Sequence, residues 1–181
     1  MPPPPSDLIS LARTIATNHS LDPALVCAVI EQESAWDAHA IRYEPAFRTR
    51  YVAPLGLPPT EEVARSISWG LMQVMGQVAR EHSFAGKSLA ALCDPATGID
   101  IGCAVLVSKF AASRTAGVPP ANLNLPLQLP QPLPSANVAA AFRPADFLSD
   151  PNLTSRALQL WNGGGNPNYA AEVLARLSNY K

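Results

Sequence analysis

Ala28-Val29-Ile30-Glu31-Gln32-Glu33-Ser34-Ala35-Trp36-Asp37 ends an apolar run on a glutamate, and the reading of this stretch decides the fold. Just upstream, Asp22-Pro23 joins a capping side chain to a proline suited to the first helical position. Leu25, Val26, Val29 and Ile30 then recur at helical spacing, which predicts a helix over 23–34. Glu33 lies three and four residues after Ile30 and Val29, at the end of the inward face, whereas Glu31 is rotated away. A carboxyl at such a rim loses hydration, and its neutral form is favoured. A general acid needs that property to protonate a leaving oxygen near neutral pH. A glutamate at a helix end is more often a solvated charge, so corroboration must come from elsewhere in the chain.

The same start signal recurs at Asp94-Pro95, Asp150-Pro151 and Asn166-Pro167. It predicts helices over 95–113, 151–161 and 167–178, and apolar spacing adds shorter ones over 7–17, 60–66, 71–82 and 88–92. Stretches rich in β-branched residues are few. The expectation is a mainly α single domain, with residues 1–19 as an N-terminal segment and first helix and 20–181 as the functional body. A small hairpin is expected within 40–58, where Pro45, Pro54, Pro58 and Pro59 interrupt helix. Residues 117–151 hold eight of the nineteen prolines, and 115–142 carry no charge. There Leu123, Leu125, Leu127 and Leu129 alternate with polar residues and proline, as an extended crossover packed on the body would require; the alternative for so Pro-rich a stretch is an exposed mobile loop.

Composition narrows the function. With 13 Lys plus Arg against 14 Asp plus Glu, the net charge is −1 and basic residues are spread thinly. Nucleic acid is not an expected partner, because phosphate binding needs a concentrated basic surface. No run of 18 uninterrupted apolar residues predicts a transmembrane helix. Met1-Pro2-Pro3-Pro4-Pro5 lacks the basic flank and apolar core of a signal peptide, so cytoplasmic synthesis is expected. Cys27, Cys93 and Cys103 form no CxxC pair, and His19, His39 and His82 match no metal motif. The cysteines are expected reduced and mostly buried, with no metal or cofactor.

Two further segments carry candidate chemistry. In Ser68-Trp69-Gly70-Leu71-Met72-Gln73-Val74-Met75, glycine allows close backbone approach, while Met72 and Gln73 offer an adaptable apolar surface and an amide. In Leu160-Trp161-Asn162-Gly163-Gly164-Gly165-Asn166-Pro167-Asn168-Tyr169, three glycines end a helix and leave backbone unshielded, with Asn162 and Tyr169 beside them.

In this order, Ile30-Glu31-Gln32-Glu33-Ser34, Gly70-Leu71-Met72-Gln73 and Trp161-Asn162-Gly163-Gly164 with the later Tyr169 resemble the lytic transglycosylase and goose-type lysozyme superfamily. The resemblance spans roughly 20–180 and implies a lysozyme-like helical domain with a glycan-binding cleft. It implies cleavage of the β-1,4 bond between N-acetylmuramic acid and N-acetylglucosamine in peptidoglycan glycan strands. Glu33 would be the catalytic acid, then the base on the muramyl 6-hydroxyl that closes a 1,6-anhydro ring. Ser34, Gly70, Met72, Gln73, Asn162 and Tyr169 would bind substrate. A monomer acting at the cell wall, phage-encoded or otherwise delivered, is the corresponding expectation.

The chain departs from the family pattern in two places. Thirty-five residues separate Ser34 from Gly70 where many members have a short loop, and in the later motif Trp161 stands for the usual tyrosine and Gly163 for alanine. The long insertion keeps a hydrolytic, goose-type-like muramidase open. Inversion needs a second carboxylate roughly 6.5–9.5 Å from the acid. Asp37 would share a face with Glu33 if the helix continued, and Glu44 could fold over the cleft from the insertion. Locally, Asp37 could instead cap a turn, and Glu44 could pair with Arg42 or Arg48. A catalytically silent wall-binding module and an assembly protein are the other classes.

Overall fold

The computed structural model describes residues 4–115 and 150–181. They run α1 (Ser6–Asn18), α2 (Pro23–Ser34), β1 (Ile41–Tyr43), α3 (Pro45–Phe47), α4 (Pro59–Arg65), β2 (Ile67–Trp69), β3 (Val74–Met75), α5 (Gly76–Glu81), α6 (Pro95–Thr115), α7 (Pro151–Trp161) and α8 (Tyr169–Arg176). Single helical turns fill 48–55 and cover Leu89–Cys93 and Leu177–Asn179. The mainly α expectation holds. The Leu123–Leu129 strip, with the crossover as far as residue 149, lies outside the described residues.

Three of the four capping signals start helices. Asp22 accepts from the Leu25 amide, Asp94 from Thr97, and Asp150 from Asn152 and Leu153, at 2.9–3.1 Å. Each bond satisfies an amide that the first helical turn leaves without a partner. Asn166 behaves differently. Its side chain accepts from the Asn168 amide and forms a turn, so α8 begins later, at Tyr169.

Helix α2 runs through the middle of the core. Every residue from Ala24 to Ile30 is buried, on all sides of the helix, with α1, α8 and the Leu177–Asn179 turn packed against it. Helix α6 packs on α1 and α7 through fully buried Ile99, Cys103, Leu106 and Phe110. Among the described helices, α6 is long and apolar enough to cross a membrane, yet half of its most apolar window is buried inside this fold. Cys27 and Cys103 are buried, Cys93 is half-buried, and all three are free thiols. Burial pushes the Cys27 thiol up to about 11 and raises the other two.

The β structure differs from the expected local hairpin. β1 pairs antiparallel with β2, Ile41 opposite Trp69 and Tyr43 opposite Ile67, and β2 pairs with β3. Pro45 starts α3 immediately after β1, so the strand finds its partner beyond the 48–65 helical arm. The helix expected over 71–82 is also interrupted. Gly70 and Gln73 have left-handed backbone, φ +67° and +47°, and Gly70–Gln73 is the turn joining β2 to β3; helix resumes only at Gly76. Ion pairs fasten the arm: Arg48 to Glu62, and Arg65 and Arg80 both to Glu61.

Candidate functional site

Glu33 occupies the last turn of α2, where the helix passes from the core to the surface, and it is half-buried. Its Oε1 accepts two hydrogen bonds: from Trp161 Nε1 at 2.8 Å and from the Tyr169 hydroxyl at 2.5 Å. Trp161 is the last residue of α7 and Tyr169 the first of α8, so the glycine turn between them directs both donors toward α2. Burial raises the Glu33 pKa above the ordinary glutamate value, while the Tyr169 and Trp161 hydrogen bonds and the charge of Arg42 oppose the rise. The Tyr169 phenol is itself raised, by burial and then by the neighbouring Glu33 carboxylate, and stays a protonated donor.

Ser34 ties this helix end to the sheet. Its hydroxyl lies 2.9 Å from the Leu71 carbonyl and 3.2 Å from that of Ile30. Gly70 is needed where it is. Its amide donates to Ala40 O at 2.8 Å, and a Cβ there would come 2.3 Å from the Leu92 carbonyl oxygen. Gln73 spends its amide on the turn, donating to the Ala40 and Gly70 carbonyls and accepting from Ser68, all at 2.9 Å. Met72 is fully buried, with its sulfur where a side chain on Gly102 would otherwise stand. In this structure Met72 thus presents no surface to a ligand, and the amide of Gln73 is engaged by protein. Asn162 donates to the Asn166 carbonyl at 3.2 Å and closes the glycine turn, in which Gly163 and Gly164 have φ of +66° and +81°.

Neither candidate second carboxylate stands free. Helix α2 does not continue past Ser34. Ala35 and Trp36 both take left-handed backbone, φ 51° and 69°, and turn the chain away. The premise that Asp37 shares a helical face with Glu33 therefore fails; Asp37 is exposed and accepts from the His39 amide at 2.9 Å. Glu44 lies 2.5 Å from Arg42 Nε, in the ion pair anticipated as the local alternative. Among the described residues, no three His, Cys, Asp or Glu side chains cluster as a metal site.

Two supporting networks flank Glu33 that sequence reasoning missed. Glu31 accepts from the Tyr180 hydroxyl at 2.6 Å, and that hydroxyl accepts from Trp36 Nε1 at 2.8 Å. On the other side, Glu172 accepts from Gln32 at 2.9 Å and from Asn166 at 3.0 Å, anchoring the glycine turn to α2. Tyr180, Glu172 and Asn166 lie more than a hundred residues from α2 in sequence, beyond any spacing rule. The Trp161 bond was hidden for a related reason: the residue was visible only as a departure from the expected tyrosine.

The architecture is a mainly helical domain built around a desolvated, doubly hydrogen-bonded glutamate at the end of its central helix. The transglycosylase SLT domain matches residues 10–117, more than half of the chain, and the chain belongs to this family. The matched stretch contains Glu33, Ser34 and the Gly70–Gln73 turn and ends before Trp161 and Tyr169. No curated protein and no solved structure matches the chain.

Proposed function

We propose that this protein cleaves the β-1,4 bond between N-acetylmuramic acid and N-acetylglucosamine in peptidoglycan without consuming water, leaving a 1,6-anhydromuramyl end. The observation that carries the reading is the Glu33 carboxyl, lifted in pKa by burial and held through Oε1 by Trp161 and Tyr169. With Oε1 occupied as a double acceptor, the transferable proton belongs on Oε2. Glu33 gives that proton to the bridging oxygen as the bond from the muramyl anomeric carbon breaks. The resulting carboxylate takes the proton of the muramyl 6-hydroxyl while its oxygen bonds to the anomeric carbon. Glu33 ends protonated, and no atom is gained from solvent.

An attached hydroxyl needs far less positioning than a free water, which suits a site with one engaged carboxyl. The local turn at Asp37 and the Arg42 pair at Glu44 weigh in the same direction, against a goose-type-like hydrolase. In this reading a cleft lies along the Glu33 end of α2, with Asn162 and the glycine turn bordering it and Ser34, Gly70, Met72 and Gln73 shaping it from behind. The place of action is the cell wall.

Glu33→Gln tests the assignment. It should keep its circular dichroism spectrum and lose about 10²–10⁴-fold in muropeptide release, the usual share of general acid–base catalysis. A folded variant with near wild-type turnover removes Glu33 from the mechanism.

A further inference from the structure

We infer that Trp161 is a two-sided residue of the Glu33 site: its indole N–H fixes the carboxyl while its ring stacks against a sugar of the glycan strand. The inference rests on the reading of Glu33 as the reacting acid.

The contrast with the other two tryptophans carries it. Trp36 is buried and gives its N–H to the Tyr180 hydroxyl, and Trp69, half-exposed like Trp161, gives its own to the Ala64 carbonyl. Trp161 alone of the three donates to a carboxylate, at 2.8 Å, and it is half-exposed. The indole is partly buried and packs against the core. Beyond it the chain continues through Asn162 to Gly163 and Gly164, where a side chain would meet nothing within 4 Å. The turn that follows Trp161 therefore carries no side chain at 163–165.

An indole N–H donates and never accepts, so this bond keeps its direction in both protonation states of Glu33, whereas a hydroxyl can turn and accept. Tryptophan also joins a large apolar face to one polar edge, which suits a boundary between protein and a hydrated ligand. Sugar rings offer a face of C–H bonds to such a surface. A ring seated on Trp161 would be placed in register with the carboxyl that the same side chain holds, so binding and proton donation share one anchor.

The test uses two variants. Trp161→Phe keeps an aromatic face and deletes the donor; Trp161→Leu deletes both. On soluble glycan strands from peptidoglycan, Trp161→Phe should lower kcat roughly ten-fold with KM little changed, as loss of one charge-assisted hydrogen bond implies. Its high-pH limb should move to higher pH, because a donor favouring the carboxylate is gone. The charged or titratable groups on the elements around Glu33 remain: Arg42 on β1, Tyr169, Glu172 and Arg176 on α8, and Glu31 on α2. Trp161→Leu should add a rise in KM. In a Glu33→Gln background, the same strands should change the tryptophan emission, and adding Trp161→Phe should abolish that change although Trp36 and Trp69 are still present. An unmoved pH limb in Trp161→Phe overturns the hold on Glu33. An unchanged KM in Trp161→Leu, or emission that does not change or changes without Trp161, overturns the stacking. Undiminished turnover by Glu33→Gln is a separate result and sinks the underlying reading.

Discussion

Glu33 shows how one carboxyl acquires an unusual proton affinity from ordinary parts. The seven residues from Ala24 to Ile30 are buried all round α2, so its last turn emerges from protein, not from water. Desolvation raises the pKa, and the two donors on Oε1 and the charge of Arg42 hold the rise back. The sign of the consequence for stability is fixed. At low pH Glu33 is protonated in both the folded and unfolded chain, and its burial costs nothing extra. As pH rises past the ordinary carboxyl range, the unfolded chain releases this proton first and gains in stability relative to the fold; the loss is complete above the raised folded pKa. Glu33→Gln carries no such charge. Its melting temperature relative to wild type should therefore climb as pH rises through that window and then level off, as thermal melts at a series of pH values would show. A melting temperature that falls relative to wild type with rising pH contradicts the raised pKa.

At the scale of elements, the site is a junction where α2, the β2–β3 turn and the α7–α8 turn meet. Ser34 joins the first two, and Trp161 and Tyr169 join the first and third. Gly70 is the tightest point: it combines φ +67° with a carbonyl oxygen where a Cβ would sit. Gly70→Ala should destabilise the fold by at least about 1–3 kcal/mol from the left-handed backbone alone, with the clash adding to it. A melting temperature equal to wild type would mean that the turn is not built as described. Much of this scale was legible in the sequence. The helices over 23–34 and 151–161 follow from an aspartate cap, a proline and apolar spacing, all of them local. The helix expected over 71–82 failed because left-handed backbone at a glutamine leaves no mark in composition. The β1–β2 pairing eluded a local reading because its strands are separated by the helical arm. Asp37 lost its shared face with Glu33 for a similar reason: two non-glycine residues in left-handed backbone end α2, and nothing in Ala35-Trp36 announces that.

At the scale of the whole molecule, the site depends on bringing together segments far apart in sequence. Glu33 is held by residues 128 and 136 positions downstream, and Glu31 by Tyr180, next to the C-terminal residue. Ordered motifs identified the parts in the sequence; their contacts appear only once α8 packs on α2 and the end of α7 meets Glu33. Family membership makes peptidoglycan the substrate to try, and the single engaged carboxyl makes an intramolecular cut the expected chemistry. A hydrolase must instead hold a water and, for inversion, a second carboxylate at roughly 6.5–9.5 Å. The most direct measurement is mass spectrometry of the muropeptides that the wild-type protein releases from purified peptidoglycan. The account predicts muramyl ends closed as 1,6-anhydro rings with no water added. Muramyl ends that are all reducing and heavier by one water molecule would contradict it, and would move the search for a second carboxylate back to Glu44 and Asp37.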